Sequence, residues 1–190
     1  MITGNTTSTL IIVVILIIVA LAVLAVVRRQ QRSKRLQERF GPEYDHVLDE
    51  VGDQGRAEKE LEQRVAHVKT LNIRALTADE VNRYGLEWQE TQRQFVDEPL
   101  AALQQADKLI QEVMRARGYP VDDFEQRAAD ISVDYPELVT DYRGMHRIAV
   151  KEAKDVNTED MRQAMVHGRA LFENLIKQES TEEVNQKEKM

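Results

Sequence analysis

Leu10 to Val27 reads LIIVVILIIVALAVLAVV, eighteen consecutive residues without a polar side chain. As a helix this run would extend roughly 27 Å at 1.5 Å per residue, close to the hydrocarbon thickness of a bilayer. A helix buried in a small domain would carry a polar stripe, and this one has none. The run predicts a single transmembrane helix over residues 10–27. Thr6 to Thr9 can extend it into the outer interface, and residues 1–9 form a short uncharged tail.

Charge sets the orientation. No charged side chain precedes residue 28, whereas RRQQRSKRLQER, residues 28–39, holds six Lys or Arg against Glu38. Short basic flanks stay on the cytoplasmic side, so the N-terminus is expected outside and the remaining chain inside. A cleaved secretory signal would carry its positive charge before the apolar run instead. Ala20, Ala22 and Ala25 still offer a small-residue cleavage pattern, so an exported, cleaved cell-envelope form stays open as an alternative. Arg28, Arg29, Arg32, Lys34 and Arg35 are the residues expected to meet anionic headgroups, at about 1 kcal/mol each near the surface.

The chain carries −7 and this collar +5, so residues 40–190 carry −12. A domain that acidic is repelled by nucleic acid phosphates, and no interleaving of basic and aromatic residues argues for such binding. Cysteine is absent. That excludes disulfides, thiolate nucleophiles and cysteine zinc sites.

Beyond the collar helix (28–40), Gly41-Pro42 is a stop. The following stripes repeat at helical spacing: Tyr44/Val47/Leu48/Val51, then Ala57/Leu61/Val65/Val68. Thr77-Ala-Asp-Glu80 is a capping box before Val81, Tyr84, Trp88 and Phe95. Pro99 opens a helix with Leu103, Ala106, Ile110, Val113 and Met114 inward, and Gly118 closes it. Leu138/Tyr142/Met145/Ala149 form another stripe. A last helix starts after Thr158 with Met161, Met165, Phe172, Leu175 and Ile176 inward. No segment alternates long enough to be a strand. The fold class is all-α: a membrane helix followed by a compact bundle of six or seven short amphipathic helices over 41–178, with a disordered polar tail at 179–190.

RGYPVDDFEQRAADISVDYPELV (117–139) concentrates Asp122, Asp123, Glu125, Asp130, Asp134 and Glu137. A calcium loop needs oxygen ligands at alternate positions and a glycine at the sixth, and neither is present. Asp122-x-x-Glu125 and Asp134-x-x-Glu137 instead fit helix starts with Asp as N-cap. Arg115, Arg117, Arg127, Arg143 and Arg147 surround the acids and could form an ion-pair network. Glu43-x-x-His46 has the spacing used by di-iron bundles, but no second such motif accompanies it. No metal, cofactor or catalytic residue is therefore assigned. Gly85 and Gly168 fall on apolar helix faces and predict close helix–helix approach.

The strings RGYPVDDFEQRAADISVDYPELVTDYRGMH, LTADEVNRYGLEWQETQRQFVDEP and TEDMRQAMVHGRALFENLI resemble an uncharacterised family of bacterial membrane-anchored helical proteins. The resemblance covers residues 36–177. It implies a bacterial origin, a membrane segment and a helical domain, and it implies no activity. Secretion, which also goes with that family, conflicts with the charge-based topology, and the latter is kept.

The expectation is a single-pass, cytoplasm-facing protein-interaction module of a bacterial cell membrane, not an enzyme. Its partners are the bilayer and another protein or a second copy. Tyr119, Asp122, Asp123, Glu125, Arg143 and His146 are the candidate interaction surface. An enzyme whose site assembles around Tyr119, Asp122, Asp123, Arg143 and His146 is the alternative from a different class.

Overall fold

The computed structural model describes residues 3–177, apart from the side chains of 3–14 and of Ala153. Among the described residues eight α-helices follow one another: α1 (Thr3–Phe40), α2 (Pro42–Val51), α3 (Gln54–Val68), α4 (Ala78–Gln94), α5 (Pro99–Arg117), α6 (Phe124–Asp134), α7 (Val139–Ala149) and α8 (Thr158–Lys177). A single 3-10 turn spans Ala153–Asp155, and no strand occurs among the described residues. The protein is all-α. The tail 179–190, expected to lack order, lies outside the described residues.

The helix boundaries follow local chemistry. α1 runs without interruption through the apolar stretch and the collar and stops at Gly41, whose φ of 49° only glycine adopts readily. Pro42 then occupies the first turn of α2, where its missing N–H costs nothing. Thr77 and Glu80 make both hydrogen bonds of a capping box at α4. Gly118 ends α5 at φ 99°, and a Cβ there would lie 2.5 Å from the Asn72 carbonyl oxygen. This position needs glycine twice over, for its backbone angle and for the close passage of the 69–77 connection. At α8 the cap is Asn157, one residue before the expected Thr158: its side-chain oxygen accepts from the Asp160 N–H at 2.8 Å.

The helices pack around two cores. The larger joins α4 to α8 through Leu103, Ile110, Met114, Ile131, Tyr142, Met145 and Leu171, with Trp88 stacked on Phe172 at 4.4 Å. The smaller joins the end of α1 to α2 and α3 through Leu36, Phe40, Tyr44, Val47, Ala57 and Leu61. Val133 of α6 enters this smaller core, and Leu71 and Ile73 touch both. α3 packed on α6 is the main joint between them. Gly168 does mark a close approach, since a Cβ would meet the Met145 sulfur at 2.3 Å. Gly85 does not: a Cβ there meets nothing within 4 Å.

Every large apolar side chain from Ile15 to Val27 is exposed, at 42–62 %. These thirteen residues would extend roughly 20 Å as helix. Accordingly, no helix among the described residues is long and apolar enough to cross a membrane.

Candidate functional site

Beside these apolar contacts the joint between the two cores has a polar part, and its centre is Glu43. Placed in the first turn of α2, this carboxylate is fully buried. Arg143 of α7 donates to both its oxygens, at 2.6 and 2.8 Å, in a fork geometry. Arg64 of α3 donates to it at 2.7 Å and also pairs with Glu60 at 2.5 Å. Burial by itself raises the Glu43 pKa, but the hydrogen bonds and charges of Arg143 and Arg64 outweigh it and hold the carboxyl below its ordinary 4.5. One buried acid thus ties α2, α3 and α7 together.

A second buried acid, Asp130 of α6, sits nearby. Its Oδ1 accepts from Gln126 at 2.8 Å and lies 3.6 Å from His67 Nε2. Burial raises its pKa, and the Gln126 bond and the His67 charge offset this only in part. Above these groups opens a cleft of about 710 Å³. Arg64 and Arg143 form its floor, and Glu50, Glu60, Asp123 and Glu125 stand around it. Its surface therefore offers carboxylates to a ligand or partner, while both guanidiniums are already engaged. Among the described residues no group of three or more acidic or histidine side chains is placed to hold a metal ion.

A further buried carboxylate secures α1 to the domain. Glu58 of α3 is 2 % exposed and accepts from Ser33 of α1, from Tyr44 at 3.2 Å and from Gln54 at 2.9 Å. Burial acts to raise its pKa, but these bonds and the charge of Arg32 leave it lowered. Arg32 also grips Glu62 with two nitrogens, at 2.6 and 2.7 Å. So of the five collar residues expected to face headgroups, all are exposed, but Arg32 is paired with Glu62 of α3, whereas Arg28, Arg29, Lys34 and Arg35 make no ion pair among the described residues.

The six residues expected to share an interaction surface occupy three places. Asp123, Glu125 and Arg143 line the cleft. Asp122 is exposed beside it. Tyr119 is buried, donating from its hydroxyl to Asp134 at 2.6 Å. Its pKa is raised by burial first and by the Asp134 charge second. His146 lies elsewhere, stacked on Phe124 at 3.8 Å with Nδ1 3.0 Å from Asp107 Oδ2. Among the described residues no hydroxyl is hydrogen-bonded to His146.

Three local expectations are corrected. The cap of α6 is Asp123, which accepts from the Gln126 N–H at 3.0 Å, not Asp122. Asp134 is not a cap: it is the last residue of α6 and is taken by Tyr119, while Leu138 precedes α7 without a side-chain cap. The arginines form no network around the acids. Buried Arg117 and Arg127 donate to the carbonyls of Leu175 and Val121, at 2.7 and 2.6 Å, and Arg143 reaches Glu43, a hundred residues away in sequence. Glu43 lies 100 residues from Arg143 and 21 from Arg64, beyond any helical spacing, which is why these partners gave no signal.

Fold and site together define an all-α protein with two cores, a polar joint beneath an acid-rimmed cleft, and an uncovered apolar helix at its N-terminal end. No protein-family model, curated protein or solved structure matches the chain.

Proposed function

We propose that the chain is a single-pass membrane-anchored helical module, with its acidic domain on the cytoplasmic side and another protein as its partner. The observation that carries this reading is the apolar surface from Ile15 to Val27, exposed on all sides of α1. An uncovered apolar surface of that extent calls for lipid or a protein cover. The sequence continues the run back to Leu10, which brings it to bilayer length, and the collar favours the inner leaflet. Confinement to the membrane raises the effective concentration toward other membrane-bound proteins. The acidic rim of the cleft, Glu50, Glu60, Asp123 and Glu125, suits a basic segment of such a partner.

Reporter fusions at the two ends of the full chain test the topology. A reporter active in the cytoplasm is expected only at the C-terminus. An active periplasmic reporter there, or a shortened mature chain, would replace this reading with the exported form. Crosslinking in intact cells tests the partner. Adducts are expected that weaken on D123N/E125Q substitution, and equal adducts from both chains would remove the cleft from the reading.

A further inference from the structure

Beside the point where α1 meets the domain lies a groove of about 600 Å³ whose lining contains no carboxylate. In a protein whose domain is so acidic, that exception calls for explanation. Val26, Arg29, Gln30, Lys34 and Gln37 of α1 form one wall, and Gln54, the first residue of α3, faces them. At 100° per residue the five α1 positions fall within an arc of about 140°. Ser33 lies between them, but its hydroxyl is committed to Glu58, as are the Gln54 amide hydrogens to Ser33 and Glu58. Arg29, Lys34, Gln30 and Gln37 remain as donors. Arg32, the intervening cation, is paired with Glu62 on another side of the helix, whereas Arg29 and Lys34 make no ion pair among the described residues.

Toward the N-terminus the same helix face continues as Val26, Val23 and Val19, exposed at 57, 57 and 53 %. A groove with two free cations and two free amides therefore opens directly onto an apolar stripe. Anionic phospholipids have that division of character, a phosphate head joined to acyl chains.

We propose that this groove is a binding site for an anionic phospholipid, its phosphate held by Arg29 and Lys34 and its acyl chain laid along Val26, Val23 and Val19. The proposal rests on the membrane-anchor reading. It goes beyond general attraction of a basic collar, because it assigns two cations on one face and leaves out the others. Arg28 and Arg35 provide the control, since both lie about 180° around the helix from Val26.

The test uses the full chain in neutral detergent, with native mass spectrometry of added phosphatidylglycerol, phosphatidylcholine or inorganic phosphate. Phosphatidylglycerol is expected to bind at least tenfold tighter than phosphatidylcholine. R29Q/K34Q should lose at least tenfold, and R28Q/R35Q, with the same loss of charge, should stay within threefold of the parent. Equal losses in the two variants, or no preference between the lipids, would overturn the site. Inorganic phosphate that binds tighter than the lipid would also overturn it, since the occupant would then be a free anion. Alkaline extraction of the same three chains from cell membranes reports the anchor separately. If all three stay with the membrane while the lipid preference is absent, the groove fails and the anchor stands; if none stays, the anchor reading fails.

Discussion

Replacing Glu43 with Gln keeps the side-chain volume and removes the charge that two guanidiniums share. Breaking a buried ion pair by removing one partner costs about 3–5 kcal/mol, because the remaining charge stays desolvated. Here Arg64 keeps Glu60, and the Arg143 side chain is 19 % exposed, so both stranded charges are partly compensated. That argues for the lower end, about 3 kcal/mol. In a chain of this size such a loss lowers the melting temperature by roughly 6–12 °C. The pH profile adds a second reading. Glu43 is depressed below 4.5 in the folded protein, so its contribution is present above the unfolded pKa and is lost as pH falls through the folded one. The penalty of E43Q should be full at pH 7 and shrink below pH 4.5, converging with the parent in acid. Urea melts of the parent, E43Q, R143M and the double variant between pH 3 and 7 measure this. A loss below about 1 kcal/mol at pH 7, or the same loss at pH 3, would refute the account of the joint.

Asp130 should behave in the opposite sense. Its folded pKa is raised, so the charged form opposes folding, and that cost appears as pH rises through the folded value. D130N, which keeps an acceptor for Gln126, should melt higher than the parent at pH 8 and no higher at pH 3. Thermal melts at the two pH values check it. Asp123→Ala should cost about 0.5–2 kcal/mol through loss of the α6 cap. Asp122→Ala should change urea midpoints by less than half as much. Gly85→Ala should stabilise by about 0.5–1 kcal/mol. Gly168→Ala should destabilise by roughly 1 kcal/mol net, since overpacking against Met145 outweighs the same helical gain. Paired denaturant melts separate the two glycines.

The helices were legible in the sequence because their signals are local. Pro42, the Thr77–Glu80 box, Pro99 and Gly118 each act within one turn, and the apolar stripes repeat at 3.6 residues. The division into two cores was not legible. It depends on Val133 leaving the face shared by Ala128 and Ile131 to join Phe40 and Leu61, a choice no stripe on α6 records. The acidic stretch 117–139 misled because its carboxylates look alike in sequence. In three dimensions Asp123 caps, Asp130 is buried, Asp134 meets Tyr119 and Glu125 faces the cleft. Gly85 and Gly168 share a helical position type and differ only in what packs opposite, which α4 and α8 do not encode by themselves.

On the proposed reading α1 is an anchor and the domain lies on its cytoplasmic side. Because the chain has no cysteine, single thiols can be introduced without background. Ser8→Cys and Asp97→Cys, the latter on an exposed connection between α4 and α5, would be exposed to a membrane-impermeant maleimide in intact cells stripped of their outer barrier. Labelling of the Ser8 variant is expected before lysis and of the Asp97 variant only after it. Labelling of the Asp97 variant in intact cells would contradict that reading.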